Sequence, residues 1–195
     1  MRKATIERKT KETEIRVELS LDGKGTAEVE TGIGFLDHML DLIAVHGLFD
    51  LKVSAKGDTH VDLHHTVEDT ALVLGEALDR ALGDKRGLVR IGHAVVPMDE
   101  ALALAVVDFS GRPHCLVRAE WALVTIGELP VTLVEHFFRS LSSAAKATVH
   151  VRLMERGDDH HQAEAMFKAF GRALDRATQV DSRRAGGIPS TKGVI

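Results

Sequence analysis

The chain of 195 residues has one cysteine, no tyrosine, one tryptophan and four prolines. The lone thiol, Cys115, excludes an intrachain disulfide framework and a cysteine-based zinc motif. Aromatic residues make up 4%, too few for a platform on which bases stack, so Trp121 and the phenylalanines read as core. No run reaches the roughly 18 apolar residues of a membrane span, and the N-terminus lacks the apolar stretch of a signal peptide. A cytoplasmic protein with no membrane partner is therefore expected. Neither sign of charge dominates, and the formal net charge of -4 gives no support to a nucleic-acid binder. Nucleotide loops are missing too: there is no Walker sequence and no Gly-x-Gly-x-x-Gly, and Gly32-Ile33-Gly34 is only a turn into a helix. Apolar residues at 44% and charged ones at 28% leave an ordinary globular chain, long enough to bury a sound core.

What the chain has in excess is histidine, and in a repeated arrangement. His64-His65-Thr66-Val67-Glu68-Asp69 returns as His160-His161-Gln162-Ala163-Glu164-Ala165, each time opening an Ala/Leu-rich segment. The surroundings repeat as well. Leu36-Asp37-His38-Met39 matches Val134-Glu135-His136-Phe137, and Gly75-Glu76-Ala77-Leu78-Asp79-Arg80-Ala81 matches Gly171-Arg172-Ala173-Leu174-Asp175-Arg176-Ala177. A unit of about 90 residues used twice marks a duplicated scaffold. In the first copy, Ala4 to Leu21 alternates like a half-buried strand, Asp22-Gly23 marks a turn, and Thr26 to Thr31 reads as the second strand of a hairpin. Gly34 to Gly47 is helical in pattern, Asp50 to Ala55 a strand, and Val67 to Leu82 a helix. The second copy reads as strand Ala101 to Phe109, turn Ser110-Gly111 and partner strand His114 to Val124. Helix Leu133 to Ala144, strand Lys146 to Met154 and helix Ala163 to Ala177 follow. Helices on one face of a mostly antiparallel sheet would bury both apolar surfaces, an α/β (α+β) architecture. The expected division is residues 1–87, residues 88–185 and a tail of residues 186–195.

On a helix, residues three and four apart share a face, so His64 and His65 can each act with Glu68, and His160 and His161 with Glu164. Adjacent histidines diverge from a helix, so each pair serves two different metals. His38 and His136, at matching places on the earlier helices, are natural extra ligands. Pseudo-symmetry groups His38, His65, Glu68 and His160 at one centre and His136, His161, Glu164 and His64 at the other, within a chain or across subunits. A shell of imidazole and carboxylate without thiolate suits manganese, iron, nickel or zinc. His46, His60, His93, His114 and His150 have no matched partner and read as structural or surface residues. Arg90, Arg112, Lys168 and the tail pair Ser190 and Lys192 can make an anion site, arginine offering a planar fork and lysine a point charge. The tail itself has the composition of a flexible end.

Lys11-Glu12-Thr13, the run Thr31 to Met39 and His64 to Asp69 are followed by Asp108-Phe109-Ser110-Gly111-Arg112-Pro113 and Glu135-His136-Phe137. His160-His161-x-x-Glu164 with Lys168 and Pro189-Ser190-Thr191-Lys192-Gly193 close the series. This ordered set resembles the imidazoleglycerol-phosphate dehydratases of histidine biosynthesis over essentially the whole chain. The resemblance implies an internally duplicated fold of the ribosomal protein S5 domain 2-like kind, each half a four-stranded sheet backed by two helices. It implies a homo-oligomer of 24 subunits built from trimers, with two Mn2+ per active site at subunit contacts. The short length departs from bifunctional members that carry a fused phosphatase domain, so a histidinol-phosphatase activity is expected to be absent. It assigns the eight histidines and glutamates of the two proposed centres to metal, and Glu12 to acid–base catalysis. Arg90, Arg112, Lys168, Ser190 and Lys192 fall on substrate-binding, mainly phosphate-binding, positions, and Asp99 near the glycerol hydroxyls. The implied hydro-lyase takes water from D-erythro-1-(imidazol-4-yl)glycerol 3-phosphate and leaves 3-(imidazol-4-yl)-2-oxopropyl phosphate. Two Lewis-acid ions would stabilise the imidazolate while a glutamate removes the proton. Two rival readings stand beside it: a dinuclear metallohydrolase, which would favour a bridging carboxylate and an aspartate-rich shell, and a metal-stabilised assembly or RNA-binding module.

Overall fold

The computed structural model describes residues 2–184 and 186–195; the expected boundary at residue 185 and the start at Met1 lie outside the described residues. The first half runs β1 (Lys3–Lys9), β2 (Thr13–Ser20), β3 (Ala27–Glu30), α1 (Gly34–Gly47), β4 (Asp50–Gly57) and α2 (His64–Leu82). The second repeats it with β5 (Ile91–Met98), β6 (Ala101–Asp108), β7 (His114–Arg118), α3 (Thr132–Ala144), β10 (Thr148–Glu155) and α4 (Asp159–Thr178). Between β7 and α3 a small ribbon is added, β8 (Thr125–Ile126) with β9 (Leu129–Pro130). Each half is a four-stranded sheet, ordered β1-β2-β4-β3 and β5-β6-β10-β7, antiparallel except for one parallel pair at its edge. The duplicated, mostly antiparallel α/β architecture is thus present.

Two local expectations are corrected. Ala4 to Leu21 is not one strand but two, folded about Thr10–Glu12, where the Thr10 N–H donates to the Thr13 carbonyl. Nor does Asp22-Gly23 make a hairpin: β3 crosses to the far edge and pairs in parallel with β4. The same holds after Ser110-Gly111, where β7 lies parallel to β10 and ends at Arg118, well before Val124. A turn dipeptide fixes only a local reversal; which strand receives the chain is decided by burial of the helix that follows. Strand β5 carries little alternation in sequence, because small Gly92 and Ala94 point inward while apolar Ile91 and Val95 point outward. A Cβ on Gly92 would lie 2.1 Å from the Ala173 carbonyl oxygen of α4.

The strands of both sheets alternate between buried and exposed residues, so each sheet has one wet face and one packed against helices. The helices then pack across the halves, α1 on α4 and α2 on α3, and one hydrophobic cluster runs through both. The repeated glycines sit at these crossings. A Cβ on Gly75 of α2 would come within 2.5 Å of the Leu141 carbonyl oxygen of α3, and one on Gly171 of α4 within 3.0 Å of the Ile43 carbonyl oxygen of α1. Alanine is about 1 kcal/mol better than glycine inside a helix, but at Gly75 the obstacle is backbone and cannot rotate away. Gly75→Ala is therefore expected to destabilise by about 1–3 kcal/mol, read as a lowered denaturant midpoint, with Gly171→Ala milder.

Candidate active site

Both histidine pairs occupy the first turn of a helix, earlier than the sequence pattern suggested. Asp62 Oδ1 accepts the His64 N–H at 3.0 Å, and Asp158, the N-cap of α4, accepts the His160 N–H at 2.9 Å. These carboxylates satisfy amide groups that the helix leaves unpaired, and so fix where the imidazoles begin. Within each pair the rings diverge, at 78° for His64 and His65 and 89° for His160 and His161.

Two triads result. His38, His160 and Glu164 bring one donor atom each within 4.8 Å of one another, and so do His64, Glu68 and His136. In the first, Nε2 of both His38 and His160 lies 2.9 Å from Glu164 Oε1, with Phe35 edge-on to His160. In the second, His136 Nε2 is 3.5 Å and His64 Nε2 3.9 Å from the Glu68 carboxylate. The histidine pairings His38/His160 and His64/His136 match the expected groups, but the glutamates are exchanged: Glu68 joins His64 and His136, Glu164 joins His38 and His160. The cause is the i, i+4 spacing, which ties each glutamate to the first histidine of its own pair, while the crossings α1/α4 and α2/α3 deliver the third residue. His65 and His161 stand outside these two triads, His161 belonging instead to the group with Asp99 and Glu100. Two imidazoles and a carboxylate without thiolate make a donor set that fits a first-row divalent ion.

Burial pushes the Glu164 carboxyl up, but hydrogen bonds from Lys168, His38 and His160 outweigh it and hold the group at about 2. Lys168 Nζ lies 2.6 Å from Glu164 Oε2, which puts this cation at the metal-ligand end of the chain. Glu12, at the β1–β2 turn, is half exposed and lies 3.9 Å from His65 Nδ1. Its turn is latched to α2 through the Thr13 hydroxyl, which donates to Asp69, a carboxylate that also pairs with Arg8 at 2.8 Å. Asp99 is exposed in the β5–β6 turn, 4.0 Å from His161 Nε2.

The remaining anion-site residues lie elsewhere. Arg90 grips Asp108 with two hydrogen bonds of 2.6 and 3.0 Å and donates to the Pro189 carbonyl at 2.8 Å. The tail is therefore anchored through a buried Pro189, with Ser190 partly buried and Lys192 exposed beside it. Arg112 is exposed, its guanidinium 3.3 Å from the Ser110 carbonyl. Arg90 and Asp99 both carry left-handed backbone, φ 74 and 47, at opposite ends of β5, conformations a side chain adopts only when its surroundings impose them. Two polar residues at the site were not anticipated. Asp58 lies 3.1 Å from His65 Nδ1, and Glu100 lies 3.1 Å from His161 Nδ1. Neither belongs to the repeated motif, and only recognition of the β5–β6 hairpin would have singled out Glu100.

A duplicated α/β chain with paired His/His/Glu triads at the starts of equivalent helices has the make-up of a metal-binding enzyme with two candidate ion sites. The imidazoleglycerol-phosphate dehydratase family profile matches residues 31–174. The chain is 55% identical to the imidazoleglycerol-phosphate dehydratase of Chloroflexus aurantiacus over 195 residues, covering 100% of this chain and 95% of the relative. It is 56% identical to that of a Roseiflexus species over 194 residues, covering 100% and 98%. The crystal structure of the Staphylococcus aureus dehydratase superposes with a TM-score of 0.81 at 38% identity, over 90% of this chain and 98% of that one. The Pyrococcus furiosus enzyme, in complex with (S)-C348, gives 0.84 at 35%, over 97% and 100%. The chain belongs to the imidazoleglycerol-phosphate dehydratase family, and its reaction is the dehydration of imidazoleglycerol phosphate. Among the described residues no helix is long and apolar enough to cross a membrane.

The depressed Glu164 carboxyl carries a pH signature. Its value falls from 4.5 to about 2 on folding, so its contribution is complete above about pH 4.5 and is lost as pH drops through about 2. The shift corresponds to at most about 3 kcal/mol. In metal-stripped protein, Glu164→Gln is expected to lower the urea midpoint at pH 7, and the gap from the parent protein to narrow steadily between pH 4.5 and 2.

Proposed function

We propose that this chain performs the dehydration with two Mn2+ per active site, in an assembly of 24 subunits built from trimers, with the metal sites at subunit contacts. The observation that carries this reading is the pair of triads, alike in composition and related by the duplication. His38, His160 and Glu164 would hold one ion, and His64, Glu68 and His136 the other. His65 and His161, unused by their own chain's triads, would complete the sets of neighbouring copies. When bound, two such ions supply Lewis acidity to the two nitrogens of one imidazole ring. Glu12, 3.9 Å from His65 Nδ1, would accept the proton. Glu12 would take the proton from the carbon adjoining the one next to the ring, the hydroxyl next to the ring would leave and combine with a proton as water, and the resulting enol would tautomerise to the ketone of 3-(imidazol-4-yl)-2-oxopropyl phosphate.

The length of β5 supports subunit-spanning sites. Arg90 precedes this strand of 8 residues and Asp99 follows it, so the Arg90, Arg112, Ser190 and Lys192 group lies roughly 25 Å from the metal-ligand end. A three-carbon glycerol phosphate cannot bridge that span, so ring and phosphate would be held by different copies. Lys168, beside Glu164, belongs to the ring end, and Asp99 to the glycerol hydroxyls. The two outer sheet faces support the assembly. The first carries charged rows such as Lys52 with Glu28 at 2.7 Å. The second exposes Ile91 and Val95 beside Leu102, Leu104, Val106 and Leu116, with exposed His93, His150 and Arg152 set among them, a mixed surface whose apolar part is of the kind that other subunits cover. Residues 1–87 and 88–185 are taken as the two repeats and 186–195 as the substrate-closing tail. A dinuclear hydrolase is disfavoured because Glu68 and Glu164 belong to separate triads and neither bridges them.

The direct test is formation of the ketone from imidazoleglycerol phosphate by metal-stripped protein reloaded with Mn2+; reloaded protein that stays inactive overturns the metal assignment. Glu12→Gln is expected to reduce kcat at least ~10²-fold while leaving Mn2+ stoichiometry and assembly unchanged; near-normal turnover removes Glu12 from the role. Truncation after Gly187 removes Ser190 and Lys192 and is expected to raise KM about 10-fold or more, the worth of a charge-assisted phosphate contact. An unchanged KM would remove the tail from substrate binding.

A further inference from the structure

Each of the two histidines outside the triads has one ring nitrogen engaged within its own chain. His65 Nδ1 lies 3.1 and 3.2 Å from the two carboxylate oxygens of Asp58. His161 Nδ1 lies 3.1 and 3.3 Å from those of Glu100. A carboxylate accepts only, so the hydrogen sits on Nδ1 and Nε2 is left as the bare donor. We infer that Asp58 and Glu100 are positioning residues that fix the tautomer and direction of His65 and His161 so that each presents Nε2 to a metal ion, and that this division of duties leaves Glu12, and not its counterpart Glu100, free for proton transfer. The inference rests on the metal reading given above.

Glu12 and Glu100 stand at equivalent places, each immediately before the second strand of its half. Their surroundings have diverged. Glu100 Oε1 also accepts the Asp158 N–H at 2.6 Å, and Gly157 makes room for it, since a Cβ there would lie 2.3 Å from that oxygen. Held at both oxygens, Glu100 is committed to its histidine. In the first half Asp58 performs that duty from the other side, off the end of β4. Glu12 stays 3.9 Å from His65 Nδ1, beyond hydrogen-bond reach, with 56% of its side chain exposed. Only its backbone is tied down, the Asp58 N–H donating to the Glu12 carbonyl at 3.0 Å. One turn glutamate thus became a fixed support and the other a mobile acid–base. A pair of equivalent metal centres thereby acquires one base, on one side of the ring.

Carboxylates that orient a ligating histidine change metal affinity by roughly 10–100-fold. Metal-stripped assemblies would be titrated with Mn2+, reading the free ion by electron paramagnetic resonance. Absence of binding by the parent protein overturns the metal reading itself and leaves the carboxylate–histidine geometry out of question. Given binding, Asp58→Ala and Glu100→Ala are each expected to weaken one class of site about 10–100-fold, with Asp58→Asn, which retains an acceptor oxygen, falling between alanine and the parent. Glu12→Ala is expected to bind Mn2+ as the parent does while losing turnover. Parent-like affinity in both alanine variants, or a loss in Glu12→Ala as large as theirs, overturns the inference. Should an alanine variant fail to assemble, 15N spectra of labelled histidine in the metal-stripped parent at alkaline pH decide the matter. The Nδ1–H tautomer at His65 and His161 supports the assignment, and the Nε2–H tautomer overturns it.

Discussion

Gly75 and Gly171 allow helices from opposite halves to approach until one side meets the other's bare backbone, and the chemistry at the helix ends is registered by that approach. With α2 seated on α3, His136 reaches the His64 and Glu68 face; with α4 seated on α1, His38 reaches His160 and Glu164. A methyl group at the crossing would spread the helices, and donor atoms now gathered within 4.8 Å would separate. The core and the site are therefore one packing problem. Side chains with metal affinity would be of little use on helices free to slide, since ligand geometry tolerates errors of only a few tenths of an ångström.

Much of this was legible in the sequence, and the parts that were not share a cause. The i, i+4 spacing of His64 with Glu68 and of His160 with Glu164 is a local property, and the helices realise it. The duplication, too, is written in matched segments, down to the glycines at the crossings. Which glutamate meets which outlying histidine depends on contacts between residues far apart in the chain, and no local pattern encodes it. The parallel pairings of β3 with β4 and β7 with β10 are long-range in the same way, and the turn signals at Asp22-Gly23 and Ser110-Gly111 pointed to the wrong partner. Strand β5 escaped notice because close packing against α4 demands small inward residues, erasing the contrast by which a half-buried strand is recognised. With β5 went Glu100, whose place is intelligible only as the end of that hairpin. Nor did composition show that the glycine-rich tail is anchored, because its anchor is Arg90, distant in sequence.

Polarity is distributed along the fold with equal economy. The end of the second sheet that holds Arg90, Arg112 and the tail is rich in cations, while the opposite end gathers imidazoles and carboxylates. Within one chain the two ends are separated by a strand's length, so a site using both would have to draw them from different copies. Lys168 and Arg139 are exceptions: Lys168 is neutralised by Glu164 at 2.6 Å, and Arg139, which lines a cavity with His64 and His136, pairs with Glu135.

The reciprocal crossings also carry a symmetry. Helix α1 of the first half lies on α4 of the second as α3 of the second lies on α2 of the first, and each triad draws two residues from one half and one from the other. This is the contact pattern of an isologous dimer, in which a patch on each partner meets its own counterpart. Within one chain the two halves thus meet as the partners of such a dimer would, and each triad is the same arrangement seen from the other half. In a true dimer of identical chains every residue occurs at both equivalent places; a single chain is free of that constraint, and the turn before β2 and the turn before β6 carry different surroundings.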